Sequence, residues 1–226
     1  MYAVWYEQVG PADQVLQFGD MEVPTLGPDE VRVRIHASGV NPSDVKRRSG
    51  ASNLPLAFPR VIPQSDGAGV IEAVGANVSP SRVGERVWLW NAQFGRPFGT
   101  AAEYVVLPSV QAAHLPDRVD FETGACLGVP ALTAHGCLFA DGPIQDQTVL
   151  ITGGAGAVGS AAIQLAKWGG ATVLTTISSP DKGAAARDAG QTMSLIINRK
   201  MSRRVSVRSR RGPGPIGLLM WPSVKM

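Results

Sequence analysis

Three glycines in one short segment have the spacing of a nucleotide-binding turn. Residues 149–170 read VLITGGAGAVGSAAIQLAKWGG, and Gly154, Gly156 and Gly159 form the pattern Gly-x-Gly-x-x-Gly within them. In such a turn one glycine allows the tight bend, the second lets the backbone approach a pyrophosphate, and the third lets the next helix pack closely. The pattern is weak when it stands alone, because glycine-rich turns are common in loops.

The flanking residues supply the structural context that the pattern needs. Val149, Leu150 and Ile151 predict a buried parallel strand before the turn, and small apolar residues after the turn predict the packing face of a helix. The first N–H groups of that helix would face an anion. We therefore predict that a dinucleotide binds here, and the predicted binding residues of the turn are Gly154, Ala155, Gly156, Ala157, Val158 and Gly159.

The end of the next predicted strand bears on the choice of dinucleotide. Residues 171–177 (ATVLTTI) are rich in β-branched side chains, which favours a second parallel strand. A site for NAD places an acid near this point to bind the ribose 2′-hydroxyl, whereas a 2′-phosphate favours hydroxyl and cationic partners. Ser178 and Lys182 suit the phosphate, so we predict NADPH. Asp181 argues the other way, although an acid in the first turn of a helix with Ser179 as N-cap is also ordinary.

The residues before this unit have a different character. Valine alternation, glycine turns and proline breaks replace helical periodicity, and residues 31–35, 69–75 and 86–90 alternate as half-exposed strands do. Short strands at this spacing favour a barrel-like, β-rich domain. Residues 121–140 predict two short helices that lead to the dinucleotide-binding fold.

These landmarks follow the order of a known family. The chain resembles the medium-chain dehydrogenase/reductase superfamily, and within it the zinc-free, zeta-crystallin-like NADPH:quinone oxidoreductases, over about residues 1–190. The motifs that carry the resemblance are ASGVNPSD (37–44), RSG (48–50), DGAGVIEAVG (66–75), GERV (84–87), AEY (102–104), LTA (132–134) and the turn and helix of 153–166.

The resemblance implies an α/β protein with two domains. Residues 1–125 would form a GroES-like catalytic domain of the alcohol-dehydrogenase type. Residues 126–190 would form the first part of an NADPH-binding Rossmann domain, a doubly wound parallel sheet. Full-length relatives are implied to be homodimers or homotetramers.

The side chains of a catalytic zinc site are missing from the matching positions. Such a site needs three Cys, His or carboxylate ligands. Where zinc-dependent relatives carry a cysteine this chain has Asn41, and where they carry Gly-His-Glu residues 64–66 read Gln-Ser-Asp. Cys126 and Cys137 are the two cysteines, and we expect them to be buried core thiols rather than ligands or a disulfide. A zinc-independent mechanism is therefore expected.

Without a metal, the carbonyl substrate needs another form of activation. A quinone or conjugated enone suits, because hydride adds to carbon while charge develops on a distant oxygen. The resemblance implies that Asn41 and Asp44 line the substrate and nicotinamide end, with Thr133 near the nicotinamide, where a donor would stabilise that oxygen. Residues 41–44 (NPSD) are also typical of a turn with a helix cap, and for Asp44 both interpretations stay open.

Residues 191–226 depart from the family pattern. From residue 199 onward there are six arginines, two lysines and no acid, which leaves 13 basic and 18 acidic residues elsewhere, so a net charge of −5 becomes +3 for the whole chain. The basic excess does not indicate nucleic-acid binding by the folded part. We expect an aberrant, basic, disordered tail without strand or helix order.

A shifted reading frame is one explanation of this tail. Relatives continue after Ala-Gly with a phrase such as Ala-Asp-His-Val-Ile-Asp-Tyr, and the genetic code permits that phrase if reading starts one base earlier, at the end of the Gly190 codon. One lost base would have replaced the last third of the family sequence, truncated the sheet and impaired the enzyme. The alternative is a genuine C-terminus that evolved as a basic arm. The chain would then be an inactive remnant, or an interaction protein that uses its basic tail.

The remaining expectations concern location. No signal-peptide pattern opens the sequence, and no run of 18 apolar residues predicts a membrane span. Two cysteines fit a reducing compartment. We expect a cytoplasmic protein with a small-molecule substrate and no membrane or specific nucleic-acid partner.

Overall fold

The computed structural model describes residues 1–51, 55–196 and 216–219. These residues fall into two compact units, residues 1–129 and 130–226. Each unit has its own sheet and its own apolar core.

The first unit is mostly strand. Its elements in chain order are β1 (Tyr2–Trp5), α1 (Ala12–Val15), β2 (Gln17–Asp20), β3 (Glu30–Gly39), α2 (Pro42–Ser49), β4 (Asp66–Val74), β5 (Arg86–Leu89), β6 (Tyr104–Pro108), β7 (Ala112–His114) and α3 (Phe121–Ala125). Strands β1 and β2 pair as an antiparallel ribbon. The other five form an antiparallel sheet in the order β6-β3-β4-β5-β7.

Alternation of side chains gives this sheet its buried face. On β3, Val31 and Val33 are fully buried, whereas Arg32 and Arg34 between and after them are not. Val33 lies opposite Ile71 on β4, which is also buried. Burying one such side chain stabilises the fold by about 1.5–3 kcal/mol. The predicted strands at 31–35, 69–75 and 86–90 are confirmed, but β6 and β7 are edges, so within the described residues the strands do not close into a barrel.

The second unit is a parallel sheet with helices between its strands. Helix α4 (Gly128–Phe139) begins at the end of the first unit, and the later elements are β8 (Thr148–Ile151), α5 (Ala157–Trp168), β9 (Thr172–Ile177), α6 (Pro180–Asp188), β10 (Met193–Ile196) and β11 (Ile216–Leu219). All strand pairs are parallel, in the order β10-β9-β8-β11. Counted along this unit the order is 3-2-1-4, the first four positions of the doubly wound dinucleotide fold.

The predicted strand, turn and helix of this unit are confirmed. Val149 and Ile151 on β8, Ile163 on α5 and Val173 on β9 share one buried cluster. The two short helices predicted in residues 121–140 are also confirmed, as α3 and α4.

The prediction that residues 191–226 lack strand order is wrong at β10 and β11. The N–H of Thr192 donates to the carbonyl of Val173 at 2.9 Å, and the Thr192 hydroxyl accepts from the N–H of Val173 at 3.2 Å. These bonds begin the pairing of β10 with β9. The expected disorder of residues 197–215 and 220–226 lies outside the described residues.

The expectation of buried cysteines is also wrong. Cys126 and Cys137 are free thiols, and both are exposed. The buried residues of α4 follow a helical stripe through Pro130, Ala134 and Leu138, so Cys137 falls beside that stripe although its neighbours in sequence are apolar.

No helix in the described part of the chain is both long enough and apolar enough to span a membrane.

Candidate functional site

The glycine turn lies between the end of β8 and the start of α5. Gly153 has a φ of +70°, in the left-handed region that favours glycine, so the tight bend is made here rather than at Gly154. A Cβ at Gly154 would lie 2.1 Å from the hydroxyl of Thr175. A Cβ at Gly159 would lie 2.3 Å from the carbonyl oxygen of Gly153. The backbone conformation therefore requires glycine at position 153, and packing within the unit requires it at positions 154 and 159.

Gly156 differs from these three glycines. It is the N-cap of α5, with a φ of −83° that any residue adopts. A Cβ there would meet one neighbouring atom, the Gly153 carbonyl oxygen at 3.3 Å. No other described atom lies within 4 Å of such a Cβ, and the first N–H groups of α5 have no partner inside the helix. The turn is thus open at the position where a pyrophosphate would approach.

The other predicted turn residues surround this opening. Ala157 is exposed, and Ala155 and Val158 are half-buried. Because Ala157 and Val158 are the first residues of α5, their N–H groups belong to the unpaired start of the helix.

Two buried threonines attach the turn to the neighbouring strand. The N–H of Gly153 donates to the hydroxyl of Thr176 at 3.1 Å, and the hydroxyl of Thr175 donates to the carbonyl of Ile151 at 2.7 Å. In the sequence, these threonines indicate only a β-strand. Their signal is a pair of adjacent hydroxyl residues near the carboxyl end of the strand.

Ser178 and Lys182 meet at the end of β9. The ammonium of Lys182 donates to the hydroxyl of Ser178 at 3.1 Å, and both residues are exposed. The predicted cap is confirmed, because the hydroxyl of Ser179 accepts from the N–H of Lys182 at 3.4 Å at the start of α6. Asp181 lies in the first turn of this helix. Since β8 and β9 are parallel neighbours, their carboxyl ends place the turn and this cationic pair at the same edge of the sheet.

In the first unit, Asn41 and Asp44 lie together at the start of α2. Asn41 is the N-cap, and its N–H donates to the carboxylate of Asp44 at 2.8 Å. Both side chains are buried, with 6% and 7% of their surfaces exposed. The helix-cap interaction of Asp44 is present, and its catalytic role stays a prediction.

A third buried polar residue, Asp66 at the start of β4, completes this cluster. Its Oδ2 accepts from the Asn41 amide Nδ2 at 2.8 Å and from the N–H of Val129 at 2.8 Å. Its Oδ1 is buried and has no hydrogen-bond partner among the described residues. Burial raises the pKa of the Asp66 carboxyl, which the bonds from Asn41 and Val129 oppose. Burial also raises the pKa of Asp44, and the neighbouring charge of Asp66 raises it further.

In the sequence, Asp66 stands out only as the residue at the position of a zinc-site acid. Its partners are 25 and 63 positions away in sequence, so no local pattern reveals the contact. The backbone carbonyl of Asp66 accepts from the Thr100 hydroxyl at 2.6 Å, and that hydroxyl lies 2.7 Å from the Ser38 hydroxyl. A polar layer thus fixes this end of β4.

The structure therefore divides the predicted residues between the two units. Asn41 and Asp44 are together in the first. The glycine turn, Ser178 and Lys182 are together in the second, where Thr133 lies half-buried on α4. No hydrogen bond between described residues joins Thr133 to the turn. Among the described residues, no cluster of three His, Cys, Asp or Glu side chains is arranged to hold a metal ion.

Parts of the chain are similar to known proteins. Residues 27–117 match the family model of the alcohol dehydrogenase GroES-like domain. The quinone oxidoreductase of Pseudomonas aeruginosa is 38% identical over 181 residues, which cover 78% of this chain and 53% of that protein. The chain thus spans about half the length of the curated relatives it matches.

Solved structures share the fold. Mycobacterial Rv1454c, solved in complex with NADPH, is 31% identical with a TM-score of 0.76, and the match covers 90% of this chain and 61% of that one. An NAD-dependent alcohol dehydrogenase is 32% identical with a TM-score of 0.78, over 87% of this chain and 63% of that one.

Proposed function

We propose that this chain, a homologue of the quinone oxidoreductases of the medium-chain dehydrogenase/reductase superfamily, is a zinc-independent NADPH-dependent reductase of quinones or conjugated enones. It has a GroES-like domain followed by part of a Rossmann fold. The observation that carries the proposal is the open glycine turn at the same sheet edge as the Lys182–Ser178 pair.

The residues present fit a dinucleotide. Gly156 leaves a gap that no side chain fills, and the unpaired N–H groups at the start of α5 favour an anion. Two of the turn's other glycines are required by close packing, which fixes the backbone around that gap. A pyrophosphate at this position would complete the hydrogen bonding of the helix start.

The end of β9 favours a 2′-phosphate over a free 2′-hydroxyl. Lys182 supplies a positive charge and Ser178 supplies a hydroxyl, and their 3.1 Å contact supports a role for both in holding one anion. Asp181 is in the first turn of α6, where a carboxylate is stabilised by the helix dipole without any ligand. We therefore assign NADPH as the cofactor.

The proposed hydrogen-bond donor of the reaction is in the first unit. When bound, NADPH supplies hydride to a conjugated carbon of the substrate, and negative charge develops on the substrate oxygen. Asn41 is proposed to donate an amide hydrogen bond to that oxygen, which lowers the energy of the charge as an oxyanion hole does. Asp44 is proposed to border the same site, and Thr133 to contact the nicotinamide.

Zinc independence follows from the residue types at the matching positions. Asn41 and Ser65 stand where zinc-dependent relatives carry Cys and His, and neither an amide nor a hydroxyl is an ordinary zinc ligand. We also propose a cytoplasmic location and a small-molecule substrate.

Fluorescence titration of the purified chain with NADPH and NADH tests the cofactor assignment. Saturable binding with preference for NADPH is expected, and absence of binding to either would support the inactive-remnant alternative. Absorbance of NADPH in the presence of an ortho-quinone then tests the reaction, with and without a chelator. The rate should not change with the chelator, and one equivalent of tightly bound zinc would overturn the assignment.

A further inference from the structure

Asp66 makes a specific contact with the residue that we propose as the hydrogen-bond donor. It is 1% exposed. Its Oδ2 accepts from the amide Nδ2 of Asn41 at 2.8 Å. The same oxygen accepts from the N–H of Val129 at 2.8 Å. One carboxylate oxygen thus joins the N-cap of α2 to the chain at the start of α4.

This arrangement is costly for the fold. A buried carboxylate is stable only when its oxygens are well bonded, yet the Oδ1 of Asp66 has no partner among the described residues. The position that faces this oxygen must also be glycine, because a Cβ at Gly128 would lie 2.1 Å from it. A smaller neutral side chain at position 66 would avoid both constraints.

The gain is a defined orientation for the Asn41 amide. The backbone of Asn41 is fixed at the start of α2, because its N–H donates to the Asp44 carboxylate and its carbonyl accepts from the N–H of Asp44 at 3.0 Å. Asp66 accepts only from a donor, so the nitrogen end is directed to Asp66. The amide nitrogen has a second N–H, and that hydrogen bonds no described residue.

We propose that Asp66 is the positioning residue of Asn41. By accepting one amide N–H, its carboxylate prevents the amide from flipping and holds the second N–H ready to donate to the substrate oxygen. The inference rests on the proposed function, because it assigns Asp66 a part in the reductase reaction. Asp66 itself contacts no reacting atom.

Two substitutions separate the acceptor from the charge. Asp66→Asn keeps a carbonyl oxygen that can accept from both Asn41 and Val129, whereas Asp66→Ala removes the acceptor. Misplacing a catalytic group by about 1 Å costs on the order of a hundredfold in rate. We therefore expect kcat for quinone reduction to fall by about that factor in Asp66→Ala, with NADPH affinity unchanged. Asp66→Asn should keep most of the activity. If Asp66→Ala does not fold, Asp66→Leu, which has a similar shape and no acceptor, replaces it.

A double-mutant cycle distinguishes positioning from a merely structural role. In an Asn41→Ala background there is no amide left to orient, so Asp66→Ala should lower kcat no further. A structural role through Val129 would lower kcat by the same factor in both backgrounds, and that result would overturn the proposal. An unchanged kcat in the single Asp66→Ala variant would overturn it as well.

NMR of the Asn41 side-chain amide tests the positioning without any catalysis. One amide proton of Asn41 should exchange slowly with solvent in the wild-type chain and rapidly in Asp66→Ala. Equal exchange in both proteins would overturn the positioning role. If the exchange behaves as expected but the wild-type chain oxidises no NADPH with a quinone, the proposed function has failed while the contact stands.

Discussion

The four glycines after β8 differ in what an added side chain would meet. Gly153 requires its left-handed backbone, Gly154 packs against Thr175, and Gly159 packs against a carbonyl oxygen. Gly156 alone among them has neither a positive φ nor a contact under 3.3 Å. A substitution at Gly156 therefore tests ligand approach separately from folding.

Gly156→Val should leave the fold intact and abolish NADPH binding. The valine side chain would occupy the space that the pyrophosphate needs, while its N-cap φ and ψ suit any residue. Gly159→Val is the matched control with the opposite expectation, because its Cβ would lie 2.3 Å from the Gly153 carbonyl and overpacking costs about 1–3 kcal/mol. Urea unfolding and NADPH titration of both variants measure these effects. Wild-type NADPH affinity in Gly156→Val would contradict the role of Gly156.

Lys182→Glu should shift cofactor preference from NADPH towards NADH. Loss of one charge-assisted hydrogen bond to the 2′-phosphate is worth about 1.5–3 kcal/mol, or roughly ten- to a hundredfold in affinity. Lys167→Glu makes the same charge change in the last turn of α5, where the residue is exposed, and should leave the preference unchanged. The ratio of the two dissociation constants is the measurement. If both variants shift the NADPH/NADH preference equally, the effect comes from net charge and the role of Lys182 is contradicted.

Asp66 should make the stability of the first unit depend on pH. The folded pKa of Asp66 is raised above its ordinary value of 3.8, so the folded state holds the proton more tightly than the unfolded chain. Its contribution to stability is therefore fully present below pH 3.8 and is lost as pH rises through the folded pKa. The side chain of Asp66→Asn does not titrate. The free energy of unfolding of this variant, relative to wild type, should therefore increase as the pH rises from 3.8 through the folded pKa of Asp66. Urea unfolding of both proteins at several pH values tests this, and parallel pH profiles would contradict it.

At the scale of elements, local pattern predicted the central strands of both units and the helices α3, α4 and α5, but not β1, β2, β6 or β7. Period-two alternation placed β3, β4 and β5, and a short apolar run before glycines placed β8. Strands β10 and β11 were missed because each is four residues long and their apolar residues stand beside an arginine-rich segment. Their pairing is decided by the exposed edges of β8 and β9, which no local pattern records. Local pattern also does not record the Asn41–Asp66 contact, because the two residues are 25 positions apart in sequence.

Thr192→Pro should detach the start of β10 from β9. Proline lacks the N–H that donates to Val173 at 2.9 Å and the hydroxyl that accepts from it at 3.2 Å. Losing two hydrogen bonds should destabilise the second unit by about 1–3 kcal/mol. Thr192→Ser keeps both groups and should change stability little. Hydrogen exchange at the Val173 amide reports the pairing directly, and equal protection in all three proteins would refute it.

At the scale of the whole molecule, the chain has two regions of opposite charge. The 28 residues from Arg199 onward contain eight basic residues and no acid, whereas the rest of the chain has 13 basic and 18 acidic residues. The sheet of the second unit has the first four strands of an order that normally uses about six.

Sequencing the coding DNA should reveal a shifted frame after the Gly190 codon. The expected frame continues the family pattern, and inserting one base there should produce a chain with further strands for this sheet. Because added apolar burial contributes about 25 cal/mol per Å², the repaired chain should unfold at higher urea and bind NADPH more tightly. If the shifted frame contains early stops or no strand and helix pattern, the basic segment is a genuine C-terminus and the frame hypothesis is wrong.

The space between Asp66 and Gly128 fixes the order in which these two positions can change during evolution. Any side chain gained first at position 128 would meet the carboxylate oxygen at 2.1 Å, so that step is harmful while the acid is present. If a lineage first exchanges Asp66 for a shorter residue, the space opens and a later alanine at position 128 becomes harmless. The effect of a substitution at position 128 thus depends on which residue already stands at position 66.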